Sequence, residues 1–181
     1  MKSQILFLLL LVQFTSLYSQ KDMQQKFHDF TVMDINGDEF RFSSLKGKKV
    51  LIVNTASKCG LTPQYKELQE LYEQFGGEHF EIIGFPANNF LSQEPGTDSQ
   101  IKEFCSSEYA VTFPMMSKIS VKGADIHPLY RWLTSKELNG VLNAEITWNF
   151  QKFLIDESGQ LMKVFSPRVS PLDDEIVRRL Q

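Results

Sequence analysis

The sequence has few of the residues that mark metal-binding, nucleic-acid-binding or repetitive proteins. Two cysteines and three histidines occur in 181 residues. No HExxH or CxxC spacing connects them, so the sequence predicts neither a metal site nor a cofactor. Lys and Arg number 19 against 22 Asp and Glu, which argues against a nucleic-acid-binding surface. A hydrophobic content of 42% without repeats or a linker predicts one folded domain.

A long apolar run occurs at the N-terminus, where Ile5 to Val12 follows the charged Lys2. The run is shorter than the roughly 20 residues of a membrane-spanning helix and precedes small residues that include Ser19, an order typical of a secretory signal peptide. We expect a signal peptide at 1–19 and a mature domain at 20–181 with 18 basic and 22 acidic residues. This predicts a protein exported to the periplasm or beyond the cell, with no stable membrane insertion.

Strand and helix patterns alternate along the rest of the chain. Asn36-Gly37 between two short alternating runs predicts an N-terminal β-hairpin, and the apolar run Val50 to Val53 predicts a central strand covered on both faces. Thr62 as N-cap and Pro63 at the first position predict a helix. Further strands are expected at 80–85, 116–121, 150–155 and 160–165, and further helices at 98–109, 127–135 and 172–180. This order indicates an α/β fold, a three-layer sandwich with a mixed central sheet.

Cys59 lies between the predicted central strand and the helix that follows it, where reactive groups collect in such folds. Backbone N–H groups and the dipole of the helix favour a thiolate there, and Lys58 acts in the same direction. In exported proteins a pair such as Cys59 and Cys105 most often forms a structural disulfide. A mature domain of 162 residues can build a core without one, so the loop position of Cys59 favours a nucleophile or a redox centre.

Three motifs occur in order along the chain: VNTASKCGLTPQY, GFPANNFLSQEPG and WNFQKFLID, starting at residues 53, 84 and 148. Together they resemble the glutathione peroxidases in their cysteine-containing, thioredoxin-fold form. The resemblance covers about residues 27–179 and implies a thioredoxin-like fold with a catalytic group of Cys59, Gln93, Trp148 and Asn149. Neutral amides and an indole suit this chemistry, because their N–H groups can bind sulfur or peroxide oxygen without adding a fixed charge.

The resemblance implies a thiol peroxidase that reduces hydrogen peroxide and organic hydroperoxides through a sulfenic acid at Cys59. Relatives reduced by thioredoxin use a cysteine like Cys105 as the resolving thiol, so a Cys59–Cys105 disulfide would be passed to a thioredoxin-like reductant. Glutathione is the alternative donor. We expect the helix that carries Cys105 to open locally, because a disulfide needs Cα atoms within about 7 Å.

Two departures from the family pattern matter. The usual FPCNQF is FPANNF here, with Ala87 and Asn89 in place of a cysteine and a glutamine. Cys105 is therefore the one candidate partner for Cys59. The short connection at 138–147 resembles the compact members of the family, which lack the loop that builds tetramers, and favours a monomer.

Other functions on the same fold fit the residues less well. A disulfide oxidoreductase normally needs a CxxC pair, whereas Gly60, Leu61 and Thr62 follow Cys59. A copper chaperone needs a closely spaced cysteine pair with a nearby histidine, which the sequence lacks. A non-catalytic redox sensor of thioredoxin fold remains compatible with every residue named here.

Overall fold

The computed structural model describes residues 25–181, so the predicted signal peptide lies outside the described residues. The strands are β1 (Thr31–Met33), β2 (Glu39–Arg41), β3 (Lys49–Thr55), β4 (Phe80–Pro86), β5 (Lys152–Ile155) and β6 (Leu161–Phe165). The helices are α1 (Gln64–Phe75), α2 (Asp98–Tyr109), α3 (Pro128–Thr134), α4 (Lys136–Asn139) and α5 (Asp174–Leu180). None of the helices in this range is both long and apolar enough to span a membrane.

Four strands form a mixed sheet in the order β4-β3-β5-β6. Strand β3 runs parallel to β4 and antiparallel to β5, and β5 pairs antiparallel with β6. The central position predicted for Val50 to Val53 is therefore confirmed. Strands β1 and β2 form a separate hairpin. Its turn has Gly37 at a φ of +87°, a conformation that glycine adopts at little cost.

Two hydrophobic clusters cover the two faces of the sheet. Val50 and Ile52 of β3 belong to one cluster, together with Leu129 of α3. Leu51 and Val53 point the other way, because side chains alternate along a strand, and they join the cluster that contains helices α1, α2 and α5. The predicted three-layer α/β sandwich is confirmed, and strands β3, β4 and β5 are buried on both sides.

The strand predicted at 116–121 does not form, so that prediction was wrong. The chain makes two isolated bridges there, Asp34 with Met116 and Gly84 with Met115. The preceding Pro114 accepts a hydrogen bond from the Gly84 N–H but has no N–H to donate. Met116 is then shared between β4 and the segment after β1, and no continuous ladder can develop.

Candidate functional site

Cys59 lies in a tight loop between the end of β3 and the start of α1. The Cys59 N–H donates to Thr62 Oγ1 over 3.0 Å, and this hydroxyl donates to the Ala56 carbonyl over 2.9 Å. The Leu61 N–H points to Cys59 Sγ, 3.4 Å away. The sulfur is thus fixed by the loop, 7% exposed, and close to a backbone donor that would stabilise negative charge.

The helix start differs from the prediction in one detail. Helix α1 begins at Gln64 after Pro63, and Thr62 does not act as its N-cap. Its hydroxyl instead closes the Cys59 loop through the two hydrogen bonds described above. The alternative partner is available because the loop turns back on itself, so that Thr62 lies beside the Cys59 N–H.

The structure brings Gln93 and Asn149 together from segments that are 56 positions apart, with Asn149 Nδ2 donating to Gln93 Oε1 over 2.9 Å. The Gln93 carbonyl accepts from the Lys58 N–H over 3.0 Å, which attaches this segment to the Cys59 loop. Asn149 is fully buried, and its Oδ1 has no hydrogen-bond partner within residues 25–181. Buried polar atoms are rarely left unpaired, so Asn149 keeps an acceptor atom free beside the Gln93 amide.

Trp148 lies at the junction of the two hydrophobic clusters and is partly exposed. Its ring is 5.3 Å from the Phe90 ring, centroid to centroid. Asn54, in β3, donates through Nδ2 to the Trp148 carbonyl and accepts from the Gln151 N–H, both over 3.1 Å. Between them, Phe150 has a φ of +66°, a strained conformation for a bulky residue. Asn54 therefore holds the turn that carries Trp148 and Asn149.

Cys105 is in α2 and is 2% exposed. Cys59 and Cys105 are both free thiols and belong to the same hydrophobic cluster. Burial raises the pKa of the Cys105 thiol to about 11, the nearby Tyr65 hydroxyl acts in the opposite direction, and the Glu94 carboxylate adds to the rise. The folded protein therefore holds Cys105 as an unreactive thiol.

Glu94 connects the Gln93 segment to Ser57, which lies two residues before Cys59 in the chain. Its carboxylate accepts from Ser57 Oγ over 3.0 Å, and its N–H donates to Asn88 Oδ1 over 2.9 Å. The residue is 1% exposed, and burial raises the pKa of its carboxyl, although Ser57 and the cations Lys118 and Lys58 oppose the rise. Glu94 supports the site and does not supply a charge at the surface.

The sequence did not identify Lys152 or Asn54 as residues that hold the backbone around the site. Lys152 is fully buried in β5, and burial lowers the pKa of its amino group to about 7, against the opposing field of the Glu67 carboxylate. The signal was present in the motif WNFQKFLID, where a lysine interrupts a buried strand pattern. Its role depends on backbone carbonyls that no motif shows.

A cleft of about 640 Å³ is lined by Gly60 and Leu61, the two residues that follow Cys59. Pro167 and Arg168 also line it, and Trp148 contributes an aromatic surface. The cleft is large enough for a small organic molecule. Within residues 25–181, no group of three or more His, Cys, Asp or Glu side chains is placed to bind a metal ion.

Comparison with known proteins agrees with the motifs and with this geometry. The family model described as glutathione peroxidase matches residues 27–134. The glutathione peroxidase homolog BsaA of Halalkalibacterium halodurans is 49% identical over 145 residues, covering 80% of this chain and 92% of the relative. The glutathione peroxidase-like peroxiredoxin 2 of Saccharomyces cerevisiae is 49% identical over 156 residues, covering 85% of this chain and 96% of the relative.

Solved structures give the same assignment. The crystal structure of T. cruzi GPX1 is similar with a TM-score of 0.65 and 31% identity, covering 86% of this chain and 93% of that one. A thioredoxin family thiol:disulfide interchange protein from Chlorobium tepidum shares the fold, with a TM-score of 0.60 and 20% identity over 87% of this chain and 96% of that one. The chain therefore belongs to the glutathione peroxidase family of thiol peroxidases, built on a thioredoxin-like fold.

Proposed function

We propose that Cys59 is the peroxidatic residue of an enzyme that reduces hydrogen peroxide and organic hydroperoxides. The observation that supports the proposal is a chain of contacts that leads from the Cys59 loop to Gln93 and from Gln93 to Asn149. The Leu61 N–H points to the sulfur, and the Gln93 carbonyl accepts from the neighbouring Lys58 N–H. Asn149 hydrogen-bonds Gln93 and lies next to Trp148 in the chain. These uncharged donors suit a thiolate and a departing oxygen that both carry negative charge.

In the first step, the Cys59 thiolate attacks one oxygen of the hydroperoxide. The O–O bond breaks, and the second oxygen takes the electron pair and a proton and leaves as water or an alcohol. Cys59 becomes a sulfenic acid, which is the reversible first stage of thiol oxidation. Gln93, Trp148 and Asn149 would donate hydrogen bonds to the sulfur and to the leaving oxygen.

In the second step, the Cys105 thiol attacks the Cys59 sulfenic acid, the S–O bond breaks, and water leaves as the disulfide forms. A dithiol reductant of thioredoxin type then reduces the Cys59–Cys105 disulfide to both thiols and is itself oxidised to a disulfide. With glutathione, one molecule would displace water from the sulfenic acid and a second would release Cys59 and oxidised glutathione. The second cysteine of the mature chain, Cys105, supports the first donor.

Cys105 must leave its buried position for this step. It lies in the last turns of α2, and the residue that ends the helix, Ala110, has a φ of +51°, which costs an alanine about 1 kcal/mol or more. An opening of this end would expose Cys105 while the capping box at Thr97 keeps the first turn in place. We therefore expect α2 to open from its C-terminal end.

The test compares peroxide consumption by the wild type, Cys59→Ser and Cys105→Ser with each donor. We expect Cys59→Ser to lose activity with both donors and Cys105→Ser to lose activity only with thioredoxin. Full activity of Cys59→Ser would overturn the proposal. A wild type that forms the disulfide once, without turnover under either donor, would identify the redox sensor instead.

We also propose that the protein is an exported monomer. The apolar run at 5–12 followed by Ser19 supports export, and the short connection at 138–147 supports a compact monomer. N-terminal sequencing of the secreted protein should start at about residue 20, and light scattering should give the mass of one chain. An intact Met1 on a cytosolic product would contradict export.

A further inference from the structure

Lys152 has no exposed surface, although lysine is almost never fully buried without a partner. Its strand, β5, lies between β3 and β6, where Lys152 is opposite Val53 on one side and Phe165 on the other. Removing an ammonium group from water costs several kcal/mol. The contacts of Lys152 must therefore offset a large penalty, and they lie next to the site.

Three acceptors surround the amino group of Lys152. Its Nζ donates to Gln64 Oε1 over 2.5 Å, to the Val169 carbonyl over 2.6 Å and to the Pro167 carbonyl over 3.1 Å. An ammonium group has three N–H donors, so each donor has an acceptor. Two of the acceptors belong to the segment 167–169, and the third is in the first turn of α1.

This arrangement joins the segment 167–169 to the helix that follows Cys59. Gln64 strengthens the connection, because its Nε2 donates to the Pro167 carbonyl over 2.8 Å. Farther along, Ser170 Oγ donates to Glu67 Oε2 over 2.7 Å. The segment lies between β6 and α5 and belongs to neither, so its position depends on these side chains.

Two residues of the segment 167–169 also line the cleft beside Cys59. Pro167 and Arg168 share this lining with Gly60 and Leu61, which follow Cys59 in the chain. Lys152 holds Pro167 directly and holds Arg168 through the two residues on either side of it. A shift of this segment would change the width of the cleft without moving Cys59, which is held by its own loop.

We propose that Lys152 is a positioning residue that sets the width of this cleft and thereby controls the reaction of Cys59 with hydroperoxides that carry a bulky organic group. The proposal rests on the peroxidase function proposed above. Hydrogen peroxide has no organic group and needs only the donors around Cys59. A bulky hydroperoxide must place its apolar part against Leu61, Trp148 and Pro167. Its fit therefore depends on the position of the segment 167–169.

The test measures the rate constants for oxidation of the reduced enzyme by hydrogen peroxide and by cumene hydroperoxide. Lys152→Met keeps a flexible chain of similar length but has no donor. We expect its rate constant with cumene hydroperoxide to fall about tenfold, as when a substrate loses one or two apolar contacts, and its rate constant with hydrogen peroxide to stay within about twofold. The matched control is Lys163→Met on β6, whose side chain is 43% exposed, and we expect neither rate constant to change.

A second variant covers the case in which Lys152→Met does not fold. Gln64→Met removes the acceptor in α1 and the hydrogen bond from Gln64 to Pro167, while the Lys152 ammonium group keeps its two carbonyl acceptors. We expect the same selective loss with cumene hydroperoxide, smaller in size. A purely structural role would lower both rate constants together or leave both unchanged.

Two results would overturn the inference. One is a folded Lys152→Met or Gln64→Met that reacts with both hydroperoxides as the wild type does. The other is a loss of equal size with both. A wild type that fails to react with hydrogen peroxide would instead contradict the proposed function itself, so the two failures can be distinguished.

Discussion

The side-chain nitrogen of Asn149 donates to Oε1 of Gln93 over 2.9 Å, joining the loop before α2 to the turn before β5. The bond uses the acceptor atom of Gln93 and leaves its NH₂ group to donate elsewhere. Two amides thus fix each other's orientation while both remain neutral. The pair is pre-arranged for a reaction in which charge develops on oxygen and sulfur.

Asn149→Ala should slow the oxidation of Cys59 by hydrogen peroxide by about a hundredfold, the usual loss when one pre-arranged donor is removed. The substitution also leaves Gln93 Oε1 without its partner, so the Gln93 amide is free to rotate away. The rate constant for oxidation of the reduced enzyme is the measurement. Asn143→Ala is the control, because among residues 25–181 the Asn143 side chain accepts only from the Lys136 N–H at the start of α4. Equal rate constants for Asn149→Ala and Asn143→Ala would show that Asn149 takes no part in the reaction.

Asn54→Ala should destabilise the fold by ~2–6 kcal/mol, because it leaves the Trp148 carbonyl and the Gln151 N–H without partners, each at ~1–3 kcal/mol. The left-handed Phe150 between them would no longer be held by the side chain. Asn54→Asp separates the two bonds, since a carboxylate accepts from Gln151 but cannot donate to Trp148. Urea unfolding should rank the wild type above Asn54→Asp and Asn54→Ala in stability. Unchanged urea midpoints would show that the turn at 148–151 does not depend on the Asn54 side chain for its stability.

Much of the fold could be predicted from the sequence because it depends on local patterns. The apolar run at 50–53 predicts a strand with two covered faces, and the structure places Val50 and Leu51 in different clusters. Asn36-Gly37 predicts a hairpin, and Gly37 has the required positive φ. Both features depend on neighbouring residues alone, so periodicity and turn chemistry are sufficient.

The missed features depend on how distant segments meet. The sequence predicts Thr62 as a helix cap, but its hydroxyl closes the Cys59 loop. Lys152 and Asn54 bond to backbone carbonyls of Pro167, Val169 and Trp148. Every residue has the same backbone carbonyl group, whatever its side chain. The sequence therefore cannot show which carbonyl a buried donor will reach.

Cys105 should react very slowly with iodoacetamide in the folded, reduced protein. A pKa of about 11 for its thiol, raised mainly by burial, leaves about a hundredfold less thiolate at pH 8 than an ordinary cysteine has. The experiment uses Cys59→Ser, in which Cys105 is the one remaining thiol of the mature chain, and mass spectrometry follows the alkylation. The same variant in denaturant is the control and should react at the rate of a free thiol. Fast labelling of the folded variant would contradict a masked Cys105.

Glu94→Gln should gain stability relative to the wild type as the pH rises from 4 towards 7. Burial raises the pKa of Glu94 in the folded state, so the folded protein binds its proton more tightly than the unfolded chain does. The stability that the protonated Glu94 contributes is fully present below the unfolded pKa and is lost as the pH rises through the folded pKa. Glutamine has no proton to lose, and its Oε1 can still accept from Ser57 Oγ, so the variant avoids this loss.

The measurement is the midpoint of thermal or urea unfolding of both proteins at several pH values. Glu145→Gln is the matched control, since Glu145 is exposed and the pKa of its carboxyl is lowered by the hydrogen bond from Lys122. The Glu145 carboxylate therefore contributes stability above its unfolded pKa and loses this contribution as the pH falls. We expect Glu145→Gln to gain no stability relative to the wild type between pH 4 and 7. A stability difference between Glu94→Gln and the wild type that stays constant with pH would show that the buried carboxyl has an ordinary pKa.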